Sequence, residues 1–124
     1  MAASKLVDVT LVKTWSPGQP AGEGEDRIVF AIALDAQGQP DQAAWLADPD
    51  PWPARREDLG AAPLAGDVAH DEDGWSLRFF GDAAAAPDAP MHRILHLGAP
   101  RPGDVLTIRA PDGRESAWRV VGIG

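Results

Sequence analysis

The run Gly103 to Ile123, GDVLTIRAPDGRESAWRVVGI, leaves the chain few options. It reads as two strands joined by a tight turn. Pro111-Asp112-Gly113 suits a three-residue hairpin loop: Pro presets φ, Asp tolerates the second position, and Gly takes the left-handed third as a bulge. That loop pairs Arg109 with Glu115, Ile108 with Ser116 and Leu106 with Trp118. Opposite charges then meet on one face, and Leu106 meets Trp118 on the other. A two-residue Asp112-Gly113 loop would set Leu106 against Arg119. A one-residue slip exchanges the faces of a strand, so the three-residue register is the favoured one. Arg101-Pro102-Gly103-Asp104 is the turn that launches the first of these strands.

The rest of the chain has the same texture. Val7, Val9 and Leu11 alternate with Asp8 and Thr10, a strand with one buried face that Trp15 would continue. Ser16 to Asp26 is Gly, Pro and acid without apolar periodicity, which predicts a mobile loop. Arg27 to Leu34, RIVFAIAL, is apolar on both faces and reads as a central strand paired with the first. Asp41 to Ala47 fits a two-turn helix capped by Asp41, ending before the prolines of Asp48 to Pro53. Ala54 to Leu59 suggests one more helical turn. Gly66 to His70 and Gly74 to Phe80 form a hairpin, with Trp75, Leu77 and Phe79 on one face. Gly81 to Pro90 is a connector. Met91 to Leu97 has its cleaner faces as a helix, with Met91, Ile94 and Leu95 on one side. The expectation is a mainly β fold: a small antiparallel β-barrel or β-sandwich of six to seven strands with one or two short helices.

A chain of 124 residues is expected to be one domain, 1–124, able to bury its own core. Without cysteine it can hold neither a disulfide nor a thiolate metal site nor a cysteine nucleophile. That fits a reducing compartment, and a cytoplasmic location is the expectation. No apolar run is long enough for a signal peptide core or a membrane span. A formal charge of −8 opposes a phosphate backbone, so nucleic acid is disfavoured as a partner. The acids are scattered through loops rather than set in a stripe, and solubility accounts for them.

Few constellations carry chemistry. His92 and His96 are four apart, the spacing that sets two imidazoles on one helical face for a metal, with His70, Asp71 or Asp73 as further ligands. On a strand the pair would be separated by roughly 13 Å. Arg93 stands where the metalloprotease motif has its glutamate, and a cation there works against a metal. Asp71-Glu72-Asp73-Gly74 lacks the later ligands of a calcium loop and suits a hairpin turn. There is no G-x-S-x-G, and Ser4, Ser16, Ser76 and Ser116 carry no local signature. Gly22-Glu23-Gly24-Glu25 is acidic and would repel phosphate. No cofactor is expected, and binding is favoured over catalysis.

The tail, PGD before a strand and then a DG turn and Trp118-Arg119-Val120-Val121, is similar to the closing strands of many unrelated small β-barrels, the sortase type among them. Turn chemistry alone carries that likeness. A sortase-type site would need a cysteine, and fold resemblance at this level transmits no function.

Five tryptophans without a tyrosine remain to be explained. Trp15, Trp75 and Trp118 fall on inward strand phases and are expected in the core. Trp45 and Trp52 sit on the helix and the proline segment, with Arg55 and Arg56 beside them. Either the two tryptophans fold back as a lid, or Trp45, Trp52, Arg55 and Arg56 form a partner-binding surface. The leading expectation is a protein–protein binding module, adaptor or assembly subunit, through a protein partner or self-association. Two alternatives come from other classes: a small metal-assisted hydrolase using His70, His92 and His96, and a small-ligand or carbohydrate-binding domain with a tryptophan-edged barrel mouth.

Overall fold

Alternating strands of this length must hide one face each, and here they do so by closing on themselves. The computed structural model describes residues 4–15, 26–57, 62–80 and 90–124. Among these residues are eight strands and one helix. The strands are β1 (Lys5–Trp15), β2 (Arg27–Leu34), β3 (Pro53–Glu57), β4 (Leu64–Asp71), β5 (Gly74–Phe79), β6 (Met91–Leu95), β7 (Val105–Arg109) and β8 (Glu115–Ile123). The helix α1 (Gln42–Ala47) lies between β2 and β3. Each strand pairs antiparallel with the next, and β8 returns to pair with β1. The result is an up-and-down barrel without a free edge.

Local chemistry fixes the turns. Ala110 donates its N–H to the Arg114 carbonyl, Gly113 takes φ +89°, and the β7–β8 register pairs Leu106 with Trp118 and Arg109 with Glu115, as the three-residue loop requires. Asp41 caps α1, its Oδ1 accepting from the Ala44 N–H at 3.0 Å. β4 and β5 meet across Glu72-Asp73, with Gly74 at φ +116°.

The barrel has more strands than the six or seven expected, because two segments with helical faces are strands. Ala54 to Leu59, expected as a helical turn, supplies β3 as far as Glu57; its remainder lies outside the described residues. Met91 to Leu97, expected as a helix, supplies β6, which ends where His96 takes φ +56°. Each is five residues long and hydrogen-bonded on both sides, β3 by β2 and β4, β6 by β5 and β7. Two ladders outweigh a weak helical preference, which tertiary context commonly overrides. The runs expected as a loop at 16–25 and a connector at 81–89 lie outside the described residues.

Inward residues alternate with outward ones around the ring. Val9, Leu11, Phe30, Leu77, Trp118 and Val120 are fully buried inside. Trp15, expected in the core, is 42 % exposed. The β1–β8 ladder slips between Lys13 and Trp15, so Thr14 is the extra residue of a β-bulge and the strand changes phase there. Lys13, before the bulge, still points in beside Trp118, and Trp15, after it, lies out over Ala117. The outward faces carry ion pairs, Asp67–Arg78 at 2.7 Å, Asp71–Arg93 at 3.1 Å and Glu115–Arg109 at 2.7 Å. Among the described residues no helix is long and apolar enough to cross a membrane.

The α1 end of the barrel is plugged by aromatic rings. Trp52, only 2 % exposed, stacks on Trp75 at 6.0 Å with 14° between the rings, and its Nε1 donates to Asp48 Oδ2 at 2.9 Å. Trp45 meets Trp75 edge-on and donates its Nε1 to the Val68 carbonyl at 3.0 Å. This is the lid arrangement. Trp52→Ala is expected to cost about 3–5 kcal/mol, the usual penalty for emptying a buried aromatic site, measured as a fall in the urea midpoint. Packing is equally tight at Gly66, where a Cβ would stand 1.9 Å from the Arg78 carbonyl oxygen. Gly66→Ala is expected to destabilise by about 2–3 kcal/mol, because backbone rather than a side-chain tip must yield. Gly113→Ala meets nothing within 4 Å and strains only its φ, so it is expected to cost about 1 kcal/mol in the same assay.

Candidate functional site

At the opposite end the interior changes character. The inward phase of β1 runs Val7, Val9, Leu11 and then Lys13; that of β3 runs Ala54 and then Arg56. On β6 and β8 the corresponding end positions are His92 and Ser116. These side chains, with Ile28, Ile108 and Trp118, surround a recess of about 220 Å³ in the barrel mouth. Arg114 and Glu115 edge it.

One carboxylate organises the charges. Asp26, immediately before β2, is 1 % exposed. Its Oδ2 lies 2.6 Å from Lys13 Nζ and 3.0 Å from Arg56 Nη2, and its Oδ1 accepts from Arg56 Nε at 3.2 Å. A buried carboxylate without such partners would be strongly unfavourable. Both cations also lie over the Trp118 ring, Lys13 Nζ at 5.3 Å and Arg56 Cζ at 5.6 Å from its centroid, a contact favoured by the ring quadrupole. Trp118 Nε1 in turn donates to Ser116 Oγ at 2.8 Å. Asp26 thus neutralises one of two cations held against an aromatic floor.

His92 packs edge-on to Phe79 at 5.4 Å, and its Nδ1 has no hydrogen-bond partner among the described residues. Burial, and then the nearby Arg56 charge, push its pKa below the ordinary 6.5, while Asp112 pulls weakly the other way. The imidazole is therefore neutral near pH 7. Ser116 Oγ serves Trp118 as an acceptor, and no hydrogen bond joins it to His92. A hydroxyl without a base beside it is a poor nucleophile.

The residues singled out from sequence fall in three places. Arg56 is in the mouth, and its neighbour Arg55 points outward to Glu57 at 2.9 Å, as adjacent strand residues must. Trp52 is in the plug and Trp45 is half-buried beside it. Those four side chains do not share one accessible face. The histidines do not converge either. His70 packs against Trp75 at the plugged end, His92 lines the mouth, and His96 occupies the turn after β6. With His92 and His96 on a strand and its turn, the helical spacing argument for a shared metal fails. Among the described residues no three His, Asp or Glu side chains are grouped as a metal site requires.

Lys13, Asp26, His92, Ser116 and Trp118 were not singled out together by the sequence. A signal existed: Lys13 continues the inward phase of Val7, Val9 and Leu11, and Asp26, one residue before β2, precedes the inward Ile28 by two. A charge at the inward phase of a strand end is a candidate for a barrel mouth. No family model, no curated protein and no solved structure matches this chain.

Because His92 is neutral in the fold and protonated in the unfolded chain below 6.5, the unfolded state binds more protons in that window. Stability from this group falls as pH drops from about 6.5 toward the folded value, by at most about 1.4 kcal/mol per pH unit. Denaturant unfolding of the wild type and His92→Leu at pH 7, 6 and 5 is expected to show the variant losing less on acidification. Parallel losses would show that His92 is not desolvated in this way.

Proposed function

We propose that the protein is a non-catalytic binding barrel whose mouth takes one small ligand. The supporting observation is the asymmetry of the barrel interior. One end is filled by stacked tryptophans, and the other exchanges apolar side chains for Lys13, Arg56, His92 and Ser116 around an open recess. Eight strands make a barrel just wide enough either to be filled by side chains or to hold one small ligand. Here the two solutions occupy opposite ends. Polar groups converging on a partly apolar recess are the usual composition of a ligand site.

A binding role is shared with the protein-partner reading, and only the occupant differs. Two of that reading's supports are weaker in this fold: closure leaves no sheet edge to cover, and Trp52 is committed to the plug. A hydrolytic role would need the three histidines to meet, and they lie in separate places.

The test is a fragment screen by thermal shift, followed by tryptophan fluorescence. A ligand at 100 times its Kd stabilises the fold by about 2.7 kcal/mol, which for a chain of this size raises Tm by about 10 °C. Hits are expected to lose that shift in Trp118→Phe, Lys13→Gln or both. Hits indifferent to both substitutions, or a screen with no hit alongside a defined oligomer in native mass spectrometry, would replace the mouth with a protein interface.

A further inference from the structure

The charge inside the mouth can be counted. Lys13 and Arg56 bring two positive charges and Asp26 one negative, all at the same point. At the rim, Arg114 lies 3.6 Å from Asp112, and Glu115 takes two hydrogen bonds from Arg109. The rim pairs cancel. Among the described residues the recess is left with one unit of positive charge, in a chain whose formal charge is −8.

The unused donors sit at the same point. Arg56 spends Nε and Nη2 on Asp26, and its Nη1 makes no hydrogen bond among the described residues. Lys13 carries three N–H protons and has one carboxylate beside it among the described residues. The other walls are apolar, with Ile28, Ile108 and the face of Trp118. A volume of about 220 Å³ equals about seven waters at ~30 Å³ each, room for roughly a single ring and its substituent.

We infer that the mouth binds a small organic monocarboxylate, its carboxylate on Lys13 and Arg56 and its apolar body against Trp118, Ile28 and Ile108. The inference rests on the mouth being the binding site and names what it takes. A monoanion matches the net charge, whereas a phosphate dianion would leave an excess negative charge in a partly apolar recess. Guanidinium and ammonium donors to a carboxylate make the stronger class of hydrogen bond, and shielding by the barrel walls strengthens them further. His92, neutral at this pH, adds no third cation.

The experiment titrates the full chain with benzoate, benzamide, benzylamine and inorganic phosphate, reading tryptophan fluorescence and thermal midpoint. Benzoate is expected to bind about tenfold or more tighter than benzamide, the loss of one charge-assisted contact. Its affinity should fall about tenfold in Lys13→Gln, where Arg56 still pairs with Asp26, and should change little with salt, because a shielded contact is screened far less than an exposed one. The comparison of benzoate with benzamide needs no variant, so a misfolded substitution cannot obscure it. Benzamide or benzylamine binding as tightly as benzoate would overturn the carboxylate while leaving the mouth as a ligand site. Phosphate binding as tightly as benzoate would overturn the apolar body. Benzoate binding unchanged in both Lys13→Gln and Trp118→Phe would place it outside the mouth and overturn the assignment. No response to any of the four probes would remove both the carboxylate and the mouth as its site.

Discussion

Closure of β8 onto β1 is the constraint on which this structure depends. Both are long strands, and their ladder runs from Val9–Ile123 to Trp15–Ala117 with two slips of register. Eight strands without that seam would leave β1 and β8 as open edges, each a row of unsatisfied N–H and C=O groups. The seam satisfies them and fixes the ring's diameter. Its slips also matter. Bulged strands bend and twist more, which a ring of eight needs. The bulge at Thr14 turns Trp15 outward while Lys13 still points in, and the slip at Val121 lets Ile123 return inward opposite Val9. One extra residue in a strand thus decides that the mouth ends in a cation and not a tryptophan.

A ring of eight strands has a narrow interior, and its two ends solve the filling problem differently. At the α1 end, Trp52 and Trp75 stack and Trp45 closes the edge, the Trp52 indole N–H donating to Asp48 and that of Trp45 to the Val68 carbonyl. At the mouth, a carboxylate with two cations fills the same cross-section. That choice is costly. Replacing a buried ion cluster by apolar side chains of similar volume is commonly neutral or stabilising. A leucine-like set at Lys13, Asp26 and Arg56 would close the barrel as well, so stability does not explain why this end is charged.

Much of this was legible in the sequence, and the failures have specific causes. Turn chemistry and face matching carried the β7–β8 register to the residue, because Pro111-Asp112-Gly113 suits a three-residue loop and Leu106 and Trp118 reject the slipped pairing of the two-residue one. The Asp41 cap and the hairpin ending at Gly74 were equally local. What escaped was decided by distant partners. Ala54-Arg55-Arg56-Glu57 and Met91-His92-Arg93-Ile94-Leu95 have no strong preference of their own and become strands because neighbours offer hydrogen bonds on both sides. The bulge that exposes Trp15 has no marker in the residues around Thr14. The mouth escaped for a related reason: Lys13, Asp26, Arg56, His92 and Ser116 come from five separate places in the chain. Only a closed ring brings them together.

The excess positive charge that the described residues place in the mouth has consequences for what can reach it. A body of formal charge −8 repels an anion at long range, but at physiological salt that field fades over about 8 Å. Inside the mouth, walls of low dielectric shield the Lys13–Asp26–Arg56 group from bulk water, and its attraction acts over the last few ångströms. Electrostatic steering from afar and electrostatic holding at contact therefore have opposite signs in this protein. Moderate salt should speed the approach of a carboxylate by screening the acidic surface while weakening the final contact much less, because the buried pair is screened least. An anion bound merely to a basic surface would lose both rate and affinity together. Separation of the two effects is what distinguishes a recess built into an acidic barrel from a patch of surface lysines.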